Sequence, residues 1–209
     1  MESHERVAGV ILAGGRSRRM GGTDKALLQL RGETLLERAV ARLAPQVSDT
    51  VISANGDLSR FASYAHPVVA DSASDHSGPL AGILAGLEWV AANRPDLRYV
   101  VSVPTDTPFF PLDLVARFLA QPRPRPTLLV ARSESGVNPV VGLWPVESAP
   151  DLVKALANGM RKVGDWTKLQ IAVEILFPPA EIGGNPFDPF FNINRPEDLA
   201  EAEALLKTR

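Results

Sequence analysis

Residues 7–25 read VAGVILAGGRSRRMGGTDK. The first six are short, apolar and partly β-branched, and two glycines follow closely. That is the pattern of a strand buried on both faces that ends in a tight turn. From Leu12 onward the stretch packs four glycines among three arginines and a lysine. Glycine weakens any regular element it enters, and clustered cations repel. Such a segment has a use when its backbone N–H groups and its cations converge on one anion. A polyphosphate is an anion of that kind. The stretch is neither a Walker A loop nor GxGxxG. A solvated surface loop remains the other reading.

Working outward, Thr34–Leu43 places Leu35, Leu36, Ala39, Val40 and Leu43 at helical spacing, and Pro45 stops it. Thr50–Ala54 and Val68–Ala70 read as strands, and Pro79–Ala92 as a helix with proline in its first position. Tyr99–Val103 is a β-branched strand, and Pro111–Ala120 a further helix. Strand and helix thus alternate from residue 7 to residue 120, the signature of a parallel, helix-covered sheet. Beyond the QPRPRP connector come strands at Thr127–Ala131, Pro139–Leu143 and Ala172–Phe177 and a helix at Asp151–Asn158. GGNPFDPFFNIN reads as a loop, and Arg195–Leu206 as a closing helix. The expected fold is α/β: a single Rossmann-like domain over 1–209, with a mostly parallel central sheet and helices on both faces. The regularly alternating half is about 7–120 and the looser half about 121–209.

Composition bounds the function. The formal net charge of −2 argues against bulk attraction to nucleic acid. No apolar run approaches the roughly 20 residues of a membrane helix, and MESHERVAG has no signal-peptide core. With no cysteine, thiol nucleophiles and thiolate metal sites are excluded. A cytoplasmic protein is expected.

Parallel sheets place ligands at the carboxyl ends of their strands. Here those ends carry LAGG, VADS and PTDTP. Asp106 can hold a divalent cation, or it can cap the turn before Pro108. Asp71 has the same two readings. In SGPLAGI (Ser77–Ile83), Gly78 and Gly82 either admit a ligand to a helix N-terminus or permit tight helix–sheet packing. His4, His66 and His76 lie outside these motifs and read as structural or surface residues.

LAGGRSRRMGGTDK, VADS, SGPLAGI, PTDTP and FFNINRPEDL, in that order, resemble the molybdenum cofactor guanylyltransferases, over most of residues 7–205. The resemblance implies transfer of GMP from Mg-GTP to the terminal phosphate of molybdenum-bound molybdopterin, with release of pyrophosphate. It implies Lys25, Asp106 and Arg19 as catalytic residues, with Mg²⁺ on Asp106. It implies a nucleotide site from Leu12, Ala13, Gly14, Gly15, Lys25, Asn55, Asp71, Gly78, Leu80, Gly82 and Asp106. Arg161, Asn192 and Asn194 fall on the acceptor side, with Lys162 beside Arg161. Implied partners are the two substrates and transient contacts with proteins that make or receive the cofactor. Two departures stand out: Thr105 replaces a frequent cysteine, and Arg195 replaces a frequent threonine and is read as solvent-facing. A CTP-dependent relative, an enzyme acting on a sugar or polyol phosphate, and a catalytically silent binding module are the alternatives.

Overall fold

VAGVIL forms β1 (Val7–Leu12), buried along its whole length. The computed structural model of the chain describes residues 7–14, 24–71, 78–122, 126–182 and 184–207. After β1 come a small hairpin, β2 (Gln29–Leu30) and β3 (Glu33–Thr34), then α1 (Leu35–Leu43), β4 (Asp49–Ala54) and β5 (Val68–Ala70). α2 (Pro79–Asn93), β6 (Tyr99–Pro104) and α3 (Leu114–Leu119) follow. The remainder comprises β7 (Leu129–Ser133), β8 (Gly136–Pro145), α4 (Ala149–Ala157), α5 (Val163–Leu169), β9 (Val173–Leu176), β10 (Ala180–Ile182), β11 (Asn185–Phe187) and α6 (Pro196–Leu205).

Seven strands make one sheet in the order β5-β4-β1-β6-β8-β7-β9. The first four are parallel; β8 runs antiparallel to both its neighbours, and β9 is parallel to β7. The mostly parallel α/β expectation therefore holds. The period of two along β1 divides the core. Val7 and Ile11 face one apolar cluster, with α1 and α3, while Ala8, Val10 and Leu12 face the other, with α2, α4 and α5. α2 lies so close to the sheet that a Cβ on Gly86 would stand 2.8 Å from Val10 Cβ. α1 begins with a capping box: Thr34 Oγ1 accepts from Glu37 N at 3.1 Å, and the Glu37 carboxylate accepts from Thr34 N at 2.6 Å.

Several expected elements differ. Thr34 is a cap, not the first helical residue. α3 starts at Leu114, because Pro111–Asp113 form a turn whose Pro111 carbonyl accepts from Leu114 N. β8 is longer than Pro139–Leu143, extended at both ends by pairing with β6 and β7. GGNPFDPFFNIN is not wholly loop: Asn185–Phe187 pairs with Ala180–Ile182, and Phe187 packs on Phe109 at 5.2 Å between ring centroids. The β2–β3 hairpin and α5 were not read from the sequence. The hairpin strands are two residues each and α5 is seven, too short to display a period.

Candidate nucleotide site at the strand ends

The chain runs β1 to β4 and β5 on one side of the sheet, then returns to β6 on the other side of β1. The crevice beyond β1 and β6 is therefore a topological switch point, where open α/β sheets bind ligands. Thr105 joins the two ends: its N–H lies 3.2 Å from Leu12 O, and its hydroxyl donates to the same carbonyl at 3.4 Å. The residue that departs from the frequent cysteine is thus buried and supplies a strand-to-strand tie.

Asp106, one residue on, is half-buried at the mouth. Its Oδ2 receives Lys25 Nζ at 2.7 Å, and the same ammonium donates to Asn194 Oδ1 at 2.7 Å. Side-chain exposure is only 16% for Lys25 and 23% for Asp106, so water screens the pair weakly. Asn192 joins through Thr107, whose hydroxyl donates to Asn192 Oδ1 at 3.0 Å. Between the two asparagines Ile193 is fully buried, and its N–H donates to Asp106 O at 2.8 Å. One apolar anchor thereby holds two polar neighbours against the Asp106 turn. Ile193 was not singled out in the sequence, although an apolar residue between two asparagines is a readable anchor pattern.

Arg42 braces this turn from α1, donating to Phe110 O at 2.7 Å and Phe109 O at 3.3 Å. Burial, with Arg38 nearby, pushes the Arg42 guanidinium below its ordinary value. Asp198, in the first turn of α6, accepts from Asn194 N and Arg195 N at 2.7 and 2.8 Å, fixing the asparagine from behind.

The other expected residues arrange around this centre. Asp71, after β5, accepts from Ser53 Oγ at 2.8 Å. A Cβ on Gly82 would lie 2.8 Å from Ser53 Oγ, 2.9 Å from Leu12 Cδ2 and 3.4 Å from Asp71 Oδ1. Gly82 thus serves tight helix–sheet packing directly beneath Asp71. Asn55 follows β4, and its Nδ2 would be 3.2 Å from a Cβ on Gly14. Gly78 precedes α2, and a Cβ there would be 3.8 Å from Arg161 O.

At three expected positions the structure adds contacts within the chain. Leu12 O accepts from Thr105, and Ala13 N donates to Ser53 O at 2.8 Å. Exposure begins at Gly14. Leu80 is 1% exposed within the α2-side core, so its side chain is committed to packing. Arg161 Nη1 donates to Leu156 O and Met160 O, which fixes the side chain against the C-terminal end of α4 and the residues after it. Arg195 is exposed, as expected. Gly15 and Arg19, with the rest of the glycine–arginine stretch, and His4 and His76 lie outside the described residues.

Among the described residues no group of three or more His, Asp or Glu side chains could enclose a metal ion. Asp106 offers one carboxylate at an open mouth. Such a donor fits a hard cation that takes its remaining oxygens from phosphates and water. No helix among the described residues is long and apolar enough to cross a membrane.

The profile of the MobA-like NTP transferase domain matches residues 9–171. The chain is 46% identical over 208 residues to the molybdenum cofactor guanylyltransferase of Rhodopseudomonas palustris strain BisB5, spanning 98% of this chain and 96% of that protein. It is 48% identical over 201 residues to the protein of the same name from Bradyrhizobium sp. strain ORS 278, spanning 95% and 92%. In fold it is similar to the molybdopterin-guanine dinucleotide biosynthesis protein A of Archaeoglobus fulgidus, with a TM-score of 0.70, 23% identity and coverage of 97% and 100%. The chain belongs to the MobA-like NTP transferase family.

Proposed function

We propose that the chain transfers GMP from a GTP–divalent metal complex to the terminal phosphate of molybdenum-bound molybdopterin. The observation that carries this reading is the meeting of Lys25, Asp106 and Asn194, residues separated by 81 and 169 positions from Lys25, at the switch-point crevice. Each comes from a different motif of the guanylyltransferase resemblance.

In this reading an oxygen of the acceptor phosphate forms a bond to the α-phosphorus of GTP. The bond from that phosphorus to the β-phosphate bridging oxygen breaks, and pyrophosphate leaves with the electron pair. A phosphate monoester is largely dianionic near neutral pH, since its second pKa is about 6. The nucleophile therefore needs little help from a base. The difficulty is bringing anions together, and preorganised cations at the developing charge supply that stabilisation. Lys25 holds phosphate oxygens. Asp106 holds the metal, which we take to be Mg²⁺ and which supplies charge neutralisation on the phosphates when bound. Asn55 and Asp71 line the base and ribose side, with Gly14 and Gly78 keeping the backbone approach open and Gly82 letting α2 seat closely beneath Asp71. Asn192 and Asn194 face the acceptor, with Arg161 at the edge of that side. Residues 7–120 thus serve mainly the nucleotide and 121–209 the acceptor. Cytoplasmic work alongside proteins that make or receive the cofactor completes the proposal.

The cytidylyl, sugar-phosphate and silent-module readings are not favoured, because the full-length relatives carry the guanylyltransferase name. The test is pyrophosphate release, with mass detection of the dinucleotide product, from Mg²⁺, molybdenum-molybdopterin and either GTP or CTP. Product from GTP and none from CTP is expected. Product from CTP alone, or no pyrophosphate from either, overturns the reading.

A further inference from the structure

Arg60 belongs to none of the motifs above, yet its guanidinium meets a carboxylate, a main-chain carbonyl and an aromatic ring at once. It lies in a 3-10 turn (Leu58–Phe61) between β4 and β5. Its Nε stands 2.8 Å from Asp24 Oδ2 in a close ion pair that is not aligned as a hydrogen bond, with side-chain exposures of 31% and 15%. Its Nη2 donates to Asn55 O at 2.6 Å. The guanidinium lies over the ring of Phe61, 4.7 Å from the centroid, and Phe61 is fully buried. Gly56, at φ +76°, turns the chain around the group, and a Cβ there would sit 3.7 Å from Nη1.

Of the two residues it joins, one borders an expected nucleotide residue and the other is one. Asp24 precedes Lys25 and is the N-cap of the turn that carries it, accepting from Ala26 N at 3.2 Å. Asn55 is itself an expected nucleotide residue, and its side chain leans toward Gly14. One planar group therefore ties the phosphate-side lysine to the far end of β4. In the sequence these two sites are separated by α1 and three strands, β2, β3 and β4, and the glycine–arginine stretch precedes them both. A mostly buried ion pair adds little net stability compared with apolar packing of similar volume. What it supplies is geometry, and only a guanidinium can address a carboxylate and a carbonyl from one rigid fork.

We propose that Arg60 is a positioning residue that sets the distance between Lys25 and Asn55, and so tunes affinity for the nucleoside triphosphate without touching the acceptor. The inference rests on the guanylyltransferase reading. The experiment uses the full chain, Mg-GTP and molybdenum-molybdopterin. It measures calorimetric GTP binding without acceptor and the KM of each substrate. Arg60→Gln should weaken GTP binding about tenfold, the loss expected from one charge-assisted contact, with the acceptor KM changed less than about twofold. Arg60→Lys keeps the charge beside Asp24 but cannot serve both partners. It should recover part of the loss, to about threefold, and it decides the matter if Arg60→Gln does not fold. Asp24→Asn combined with Arg60→Gln should be no worse than Arg60→Gln alone, because the two act through one contact. Unchanged GTP affinity in both Arg60 variants overturns the proposal, as does a parallel rise of both KM values, which marks general loosening. The activity of the wild-type chain tests the guanylyltransferase reading separately; only the ratio of variant to wild type tests Arg60.

Discussion

Asp106→Asn separates fold from chemistry at this site. Asparagine has nearly the same volume and shape as aspartate, so the turn after β6 should stand. Its main-chain anchor, Ile193 N to Asp106 O at 2.8 Å, does not involve the side chain. The tie from Thr107 to Asn192 at 3.0 Å is likewise untouched. Lys25 loses a charged partner but keeps Asn194, and the new amide oxygen still accepts a hydrogen bond. A hydrogen bond to a charged group is worth about 1.5–3 kcal/mol, and a neutral one about 1 kcal/mol. The stability loss is the difference, about 1 kcal/mol, which lowers the Tm of a domain this size by about 2–4 °C. Transfer suffers far more. Removing one preorganised electrostatic group costs about 10²–10³ in kcat, and the loss here also reaches the metal. We expect a fall in kcat of about 10³, with GTP still bound in calorimetry. The assay is pyrophosphate release across an Mg²⁺ titration, beside thermal unfolding of the same samples. Transfer within about threefold of wild type at every Mg²⁺ concentration would refute the metal role of Asp106, since that corresponds to a barrier change well under 1 kcal/mol.

Lys25→Ala should weaken GTP binding by about 10- to 100-fold, the range for loss of a charge-assisted contact, and acceptor binding much less; calorimetry showing the reverse order contradicts its phosphate role. Gly82→Ala should lower stability by about 1–2 kcal/mol, because overpacking against Ser53 and Leu12 outweighs the better helix propensity of alanine; an unchanged denaturant midpoint refutes the close-contact argument. The Glu37 carboxyl is held below its ordinary value, first by the Thr34 backbone N–H and then by the Thr34 hydroxyl. A depressed carboxylate contributes stability above its unfolded pKa and loses it as pH falls through the lower folded value. The Tm gap between wild type and Glu37→Ala should therefore be full near neutral pH and close in acid. A gap constant across that range contradicts the linkage.

Much of this was legible in the chain because it is local. An apolar run followed by glycines must be a buried strand that ends sharply. Strands alternating with amphipathic segments leave a parallel sheet covered on both faces, and that sheet dictates where its ligand sites lie. LAGGRSRRMGGTDK, VADS and PTDTP could thus be placed at strand ends, and the family could be recognised from their order. Short elements escaped because a two-residue strand shows no period, and β10–β11 was hidden by glycines and prolines that also mark loops.

Tertiary structure alone decided which residues meet. Lys25, Asp106 and Asn194 are far apart in sequence and share one hydrogen-bonded centre. The long-range pairing of β1 with β6, and the buried anchor Ile193, bring them together. The structure also decided which candidates were already occupied: the Leu12 carbonyl, the Leu80 side chain and the Arg161 guanidinium each have partners within the chain. Arg60 has no motif to announce it, and its role follows only from the fork it makes between Asp24 and Asn55. Periodicity and turn chemistry depend on neighbours a few residues away, so sequence carries them. Convergence of distant side chains depends on how the sheet closes and what its helices bury, and no local pattern encodes that.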